Sequence, residues 1–183
     1  MTNSVLVPLL TGFEEIEAVT IIDVLRRAEI PVIVASETAG PVEGSHGISV
    51  VATTALADVD AADLAMIALP GGLPGAQHLA DHPVVQRLIR DVRAADGYTA
   101  AICAAPMALA RAGVHEGHAV TSYPGFDRYL AGADYREDSV VTDRKVVTSR
   151  GVGTALDFAL TLVGLLRGNE LEQQLEQRML VSR

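Results

Sequence analysis

Short apolar runs alternate with amphipathic stretches along nearly the whole chain, and this alternation restricts the fold more than any other feature. Ser4 to Leu10, Pro31 to Ser36 and Leu64 to Leu69 read as strands with no polar face. Between them, Glu14 to Ala28 carries Ile16, Val19, Ile22 and Leu25 along a helix, and Val85, Leu88, Ile89 and Val92 form an i, i+3, i+4, i+7 stripe. A further strand leads into Cys103, a helix follows to about Ala112, and Ala119 to Ser122 is another short strand. Ser139 to Thr142 and Lys145 to Thr148 read as a strand pair turning at Asp143-Arg144. Gly40 to Thr54 should hold turns with a short strand or hairpin. Ala155 to Leu166 should be a long helix stopped by Gly168, and Glu170 to Gln177 a short final one. Strands buried on both faces, alternating with helices, predict an α/β fold. Its sheet is mostly parallel with helices on both faces, and one domain covers 1–183.

Ligands of such sheets bind beyond the carboxyl ends of the strands. That rule gathers three loops into one crevice: Thr11-Gly12-Phe13, Pro70-Gly71-Gly72 and Cys103-Ala104-Ala105. Composition narrows the candidates. An apolar fraction of 49% with 20% charged residues excludes a disordered chain. A net charge of −9 leaves no basic footprint, so neither nucleic acid nor a membrane surface is expected as a partner. The single cysteine cannot form an internal disulfide, which suits a reducing compartment. No charged leader precedes the run Val5 to Leu10, and Ala155 to Leu166 is too short to span a bilayer. A cytoplasmic location is the expectation.

Cys103 stands at a strand-to-helix junction, with Pro106 suited to the first helical turn. The free N–H groups and the positive dipole end of a new helix favour a thiolate there, which predicts a depressed thiol pKa. The alternative is a cysteine packed as a small hydrophobe. Glu14, Glu15 and Glu17 open the first helix, where carboxylates are ordinarily solvated first-turn charges. Glu17 differs, because it falls beside Ile16, Ala18 and Val19. A carboxyl in an apolar crevice keeps its proton to higher pH and can donate to a thiolate. Gly71-Gly72 is either a plain turn or a close backbone approach; in the second case the N–H groups of Gly72 and Ala104 make an oxyanion hole.

Four segments taken together resemble the signatures of the ThiJ/PfpI superfamily, most of all its DJ-one branch. They are Gly12-Phe13-Glu14-Glu15-Ile16-Glu17, Leu69-Pro70-Gly71-Gly72, Ala100-Ala101-Ile102-Cys103-Ala104-Ala105-Pro106, and Thr148-Ser149-Arg150-Gly151-Val152-Gly153-Thr154. Order and spacing agree from Val5 to about Val181. The resemblance implies a flavodoxin-like sandwich that forms a homodimer. It implies Cys103 as nucleophile on a strained elbow, and Glu17 as the protonated carboxyl bonded to it. Gly72 and Ala104 would be oxyanion donors beside Gly71, with Arg150 in an outer wall or dimer seam. Family members are described as cofactor-free glyoxalases acting on methylglyoxal, as protein deglycases, and as oxidation sensors with chaperone activity.

The chain departs from the family in two places. Thr121-Ser122-Tyr123-Pro124 stands where a typical eukaryotic member has Thr-Thr-His-Pro, so Tyr123 replaces a histidine and Glu17 must carry more of the proton traffic. Protease-type members have a histidine directly after the nucleophile, where this chain has Ala104, so peptidase activity is not expected. His46 lies in a turn that the resemblance carries toward the partner's site. His78 and His82, four apart, offer helical metal-ligand spacing, but surface-loop histidines fit better, and no metal or cofactor is expected. The expected function is a Cys103- and Glu17-dependent glyoxalase or deglycase acting on a small 2-oxoaldehyde or a glycated adduct. The alternative is a redox sensor that stops at a Cys103 sulfinate.

Overall fold

The structure is a computed structural model and describes residues 4–181. In chain order the elements begin with β1 (Ser4–Pro8), α1 (Glu15–Arg27), β2 (Val32–Ser36), β3 (Gly40–Glu43), β4 (Ser49–Ala52) and β5 (Thr54–Ala55). Next come β6 (Leu64–Leu69), α2 (Gly75–Asp81), α3 (Pro83–Ala94), β7 (Tyr98–Ile102) and α4 (Pro106–Arg111). The chain finishes with β8 (Ala119–Val120), β9 (Asp134–Tyr135), β10 (Val140–Asp143), β11 (Val146–Ser149), α5 (Ala155–Arg167) and α6 (Asn169–Arg178).

Seven strands form one sheet in the order β10-β11-β7-β6-β1-β2-β5, and every pairing except β10 with β11 is parallel. Alternate residues of each strand serve opposite faces, as the pleat requires. Val5, Val7, Met66, Ala68, Ala100 and Ile102 join the core under α1 and α5. Leu6, Ile67, Leu69 and Ala101 join the core under α2, α3 and α4. Both faces are thus covered, which is why the strands read as unbroken apolar runs. Each fully buried Leu, Ile or Val contributes roughly 1.5–3 kcal/mol. Among the described residues no helix is long and apolar enough to cross a membrane.

Three details depart from the sequence expectations. Gly75–Asp81 is a helix, so His78 is not on a loop, and His82 is the N-cap of α3, its ring accepting from the Val85 N–H. The β10–β11 turn falls at Arg144-Lys145 rather than Asp143-Arg144, with Arg144 in the left-handed region at φ 55°. Asp143 stays in the strand, where its Oδ2 accepts from the Ala119 N–H at 2.8 Å. The β3–β4 hairpin arches over the start of α1: Gly12 N–H donates to Glu43 O at 2.9 Å and Ser45 N–H to Phe13 O at 2.8 Å. That arch puts both Glu14 and Glu15 out of solvent, against the expectation of solvated first-turn charges.

Candidate active site

β7 ends at Ile102, and the next residue reverses the chain. Cys103 has φ 63°, a left-handed conformation that is strained for a residue with a side chain. Its backbone is held on both sides: its N–H donates to Ser149 O and its O accepts from the Tyr123 N–H, both at 2.9 Å. The strain is therefore imposed by neighbours on β11 and on the loop after β8. The sulfur is half-buried and accepts from the N–H groups of Ala104 and Gly72.

The second loop reaches the sulfur because it lacks side chains. A Cβ on Gly71 would lie 2.7 Å from Cys103 Cβ and 2.8 Å from Glu17 Oε2, and one on Gly72, at φ 88°, would collide with the Glu14 nitrogen. This is a close backbone approach and not a plain turn. Gly71 N–H donates to Glu17 Oε2 at 2.7 Å, so it is already committed and is not an open oxyanion donor. Gly72 and Ala104 are the donors that face sulfur.

Glu17 is fully buried. Its other oxygen, Oε1, has no hydrogen-bond partner. The carboxyl and the thiol lie close enough to shift each other, yet the bond between them is not of regular geometry. Burial pushes Glu17 up to about 7, against the opposing pull of the Gly71 N–H and the thiol. Burial, and then the charge of Glu17, push the Cys103 thiol up to about 12, while the Ala104 and Gly72 N–H groups pull it down. The depressed thiol pKa expected from the helix terminus is thus reversed: two N–H donors do not offset desolvation plus a neighbouring carboxylate.

The remaining candidates surround this pair unequally. Tyr123 is half-exposed, and its ring lies 3.2 Å from where a Gly151 Cβ would sit, a position 4.0 Å from Cys103 Sγ. Tyr123 and Gly151 therefore lie beside the sulfur. The Arg150 guanidinium donates to the Glu137 carbonyl at 3.0 Å. His46 is not brought to the sulfur within one chain. Its Nδ1 lies 2.9 Å from Glu15 Oε2 and its N–H donates to Glu15 Oε1 at 2.6 Å. Burial alone would raise Glu15, but these bonds, with another from the Ile48 N–H, hold it down at about 2. Glu14, Glu15 and His46 each offer one ligand atom within 4.8 Å of the others, and among the described residues no other such trio occurs. Sequence reasoning missed Thr121, whose N–H donates to Thr148 Oγ1 at 2.8 Å beneath the site; no local pattern marks that bond.

A family model described as the DJ-1/PfpI family matches residues 3–165. The Protein dj-1beta of Drosophila melanogaster is 40% identical over 100% of this chain and 99% of its own length. Its crystal structure superposes with a TM-score of 0.95, covering 100% of both chains. An oxidized Toxoplasma gondii DJ-1 structure, 35% identical, gives 0.94 over 99% of this chain and 100% of that one. The glutathione-independent glyoxalase DJR-1.2 of Caenorhabditis elegans is 37% identical over 86% of this chain and 84% of its own. A cysteine elbow, a buried carboxyl and a glycine loop meet on a flavodoxin-like sheet, with relatives that match from end to end: the chain belongs to the DJ-1/PfpI family.

Proposed function

We propose that the chain is a cofactor-independent glyoxalase-type enzyme acting on small 2-oxoaldehydes such as methylglyoxal, with Cys103 as nucleophile and Glu17 as proton carrier. The observation that carries this reading is the fully buried Glu17 carboxyl beside a sulfur that accepts two backbone N–H groups. The C. elegans relative's name supports the reaction class. The pair loses its protons in two steps, near 7 and near 12, and after the first step one proton remains to be shared. The thiol holds the remaining proton, and Glu17 takes it as the sulfur attacks, which leaves a thiolate beside a protonated carboxyl.

The thiolate adds to the aldehyde carbon, and the carbonyl electrons move onto oxygen. The Gly72 and Ala104 N–H groups follow that charge, and Glu17 gives the oxygen its proton to complete a hemithioacetal. The Glu17 carboxylate then removes the proton from the former aldehyde carbon and returns it to the adjacent carbon of the enediol, while the hydroxyl proton on the first carbon passes to the neighbouring ketone oxygen. The product is the thioester of a 2-hydroxy acid. Water hydrolyses that thioester, releasing lactate and the thiolate. The same addition to a glycated adduct would make the chain a deglycase. Lactate production from methylglyoxal tests the scheme: Cys103→Ala and Glu17→Ala should each abolish it, and turnover surviving in either variant sinks it.

A second reading, a redox sensor without turnover, is favoured by one observation: Glu17 Oε1 is buried with no partner, so this carboxyl has an oxygen to spare for oxygens added to the sulfur. Mild peroxide adding two oxygens at Cys103, with no aldehyde consumed, would select it. We also propose that the chain works as a homodimer in the cytoplasm. Ile16 and Val19 on α1 and Ile48 and Val51 at the hairpin are exposed apolar residues joined through Glu15, which accepts from the Ile48 N–H. Sedimentation mass checks this: Val51→Glu should shift it toward the monomer.

A further inference from the structure

A separate cavity of about 460 Å³ opens beyond the carboxyl ends of β1 and β2, and neither Cys103 nor Glu17 lines it. Its volume lies within the range of small-molecule sites. Leu10 and Pro83 give it apolar wall, while the rest of the lining is polar. We infer that this cavity binds a small organic cation, an alkylammonium or alkylguanidinium group on a short apolar stem.

Three observations carry this. The first is charge: Glu37 and Asp81 line the cavity, and no Lys or Arg does. The second is the direction of the hydrogen bonds. His82 Nδ1 accepts from the Val85 N–H at 3.4 Å, so its proton is on Nε2, which donates to Glu37 Oε2 at 2.8 Å. His78 Nδ1 lies 3.2 Å from the Thr11 carbonyl, which can only accept, so Nδ1 is the donor of that bond. Asp81 Oδ2 accepts from Gln77 Nε2 at 2.8 Å. One oxygen of Glu37 and one of Asp81 remain for a ligand. The third is Ser36, which is 5% exposed, lines the cavity and makes no side-chain hydrogen bond. Its hydroxyl is not enclosed by protein, so it is open to a ligand in the cavity.

An anion fits badly, although the start of α3 is close. Pro83 has no N–H, the Val85 N–H is taken by the His82 ring, and the Gln86 N–H by the His82 carbonyl. A metal ion fits no better, because the carboxylates and imidazoles here do not converge: among the described residues only Glu14, Glu15 and His46 do. A cavity rich in acceptors, with an apolar wall, selects a donor-rich cation.

The test is titration of the intact protein with butylguanidinium, read as ring C–H chemical shifts of His78 and His82. Saturable shifts are expected at both rings, with affinity weakened about tenfold in Glu37→Gln and in Asp81→Asn, one charge-assisted contact each. Ser36→Ala, which cannot disturb folding by size, should weaken binding less. Butanol and butyrate are the controls. No saturable shift, equal affinity for butanol, or tighter binding of butyrate would each overturn the inference. Methylglyoxal turnover should be unaffected by these variants, so this result stands or falls apart from the chemistry at Cys103.

Discussion

Glu15 and Glu17 stand two residues apart in the first turn of α1, both out of solvent, yet one titrates at about 2 and the other at about 7. Burial raises both and is deeper at Glu17, but the sign of each shift is set by the bonds each carboxyl accepts. The difference is in donors. Glu15 accepts from the His46 N–H, the His46 ring, the Ser45 hydroxyl and the Ile48 N–H. Glu17 accepts from the Gly71 N–H and has one oxygen with no partner. A carboxyl surrounded by donors is a structural anion, whereas a carboxyl left short of them holds its proton and can move it.

The largest test of this contrast is kinetic. Glu17→Ala should lower kcat/KM for methylglyoxal by at least about a thousandfold, in line with loss of a general acid–base group. Glu15→Ala should keep turnover within a few fold, and equal losses would break the comparison. The next concerns where the shared proton sits. Alkylation of Cys103 by iodoacetamide should rise through a step near pH 7. Glu17→Gln should slow it about tenfold at neutral pH by removing the base that takes the thiol proton. Faster alkylation in that variant would mean that the carboxylate acts only as a charge that keeps the thiol protonated.

Stability should then respond to pH in opposite senses. The folded pKa of Glu17 is raised from 4.5, so its contribution is fully present below pH 4.5 and lost as pH rises through about 7. Denaturation of Glu17→Gln should therefore show a gain over the parent above pH 7, with a ceiling of about 3 kcal/mol, that vanishes below pH 4.5. Glu15 is depressed, so its contribution is present above pH 4.5 and lost as pH falls toward about 2. Glu15→Gln should cost about 1 kcal/mol at pH 7, because its ring partner His46 is exposed and screened, with the penalty fading in acid. The smallest effect belongs to His46→Ala, a slight drop in melting temperature at pH 7 with turnover unchanged.

Much of this molecule is written locally. β6 has the bounds read for it, Leu64 to Leu69, because a strand buried on both faces is an unbroken apolar run. α3 shows its buried stripe, Val85, Leu88, Ile89 and Val92, and Gly168 ends α5 at φ 92°. Of the two readings open for Gly71-Gly72 the structure has the close approach, and Glu17 lies in an apolar crevice as read. α2 was not legible, since Gly75 to Asp81 is too short to show a period. The cradle around Glu15 was hidden because its donors come from a hairpin about thirty residues later. The raised thiol pKa was hidden for a related reason: helix-end electrostatics can be read near Cys103, but the desolvation and the opposing carboxylate arrive from other elements.

The unpartnered oxygen of Glu17 gives the molecule an optical handle. A buried protonated carboxyl with one oxygen unbonded absorbs at a higher infrared frequency than the amides and the carboxylates around it. Difference spectra taken as substrate enters would show that band bleach and return, following one proton through a catalytic cycle without any label.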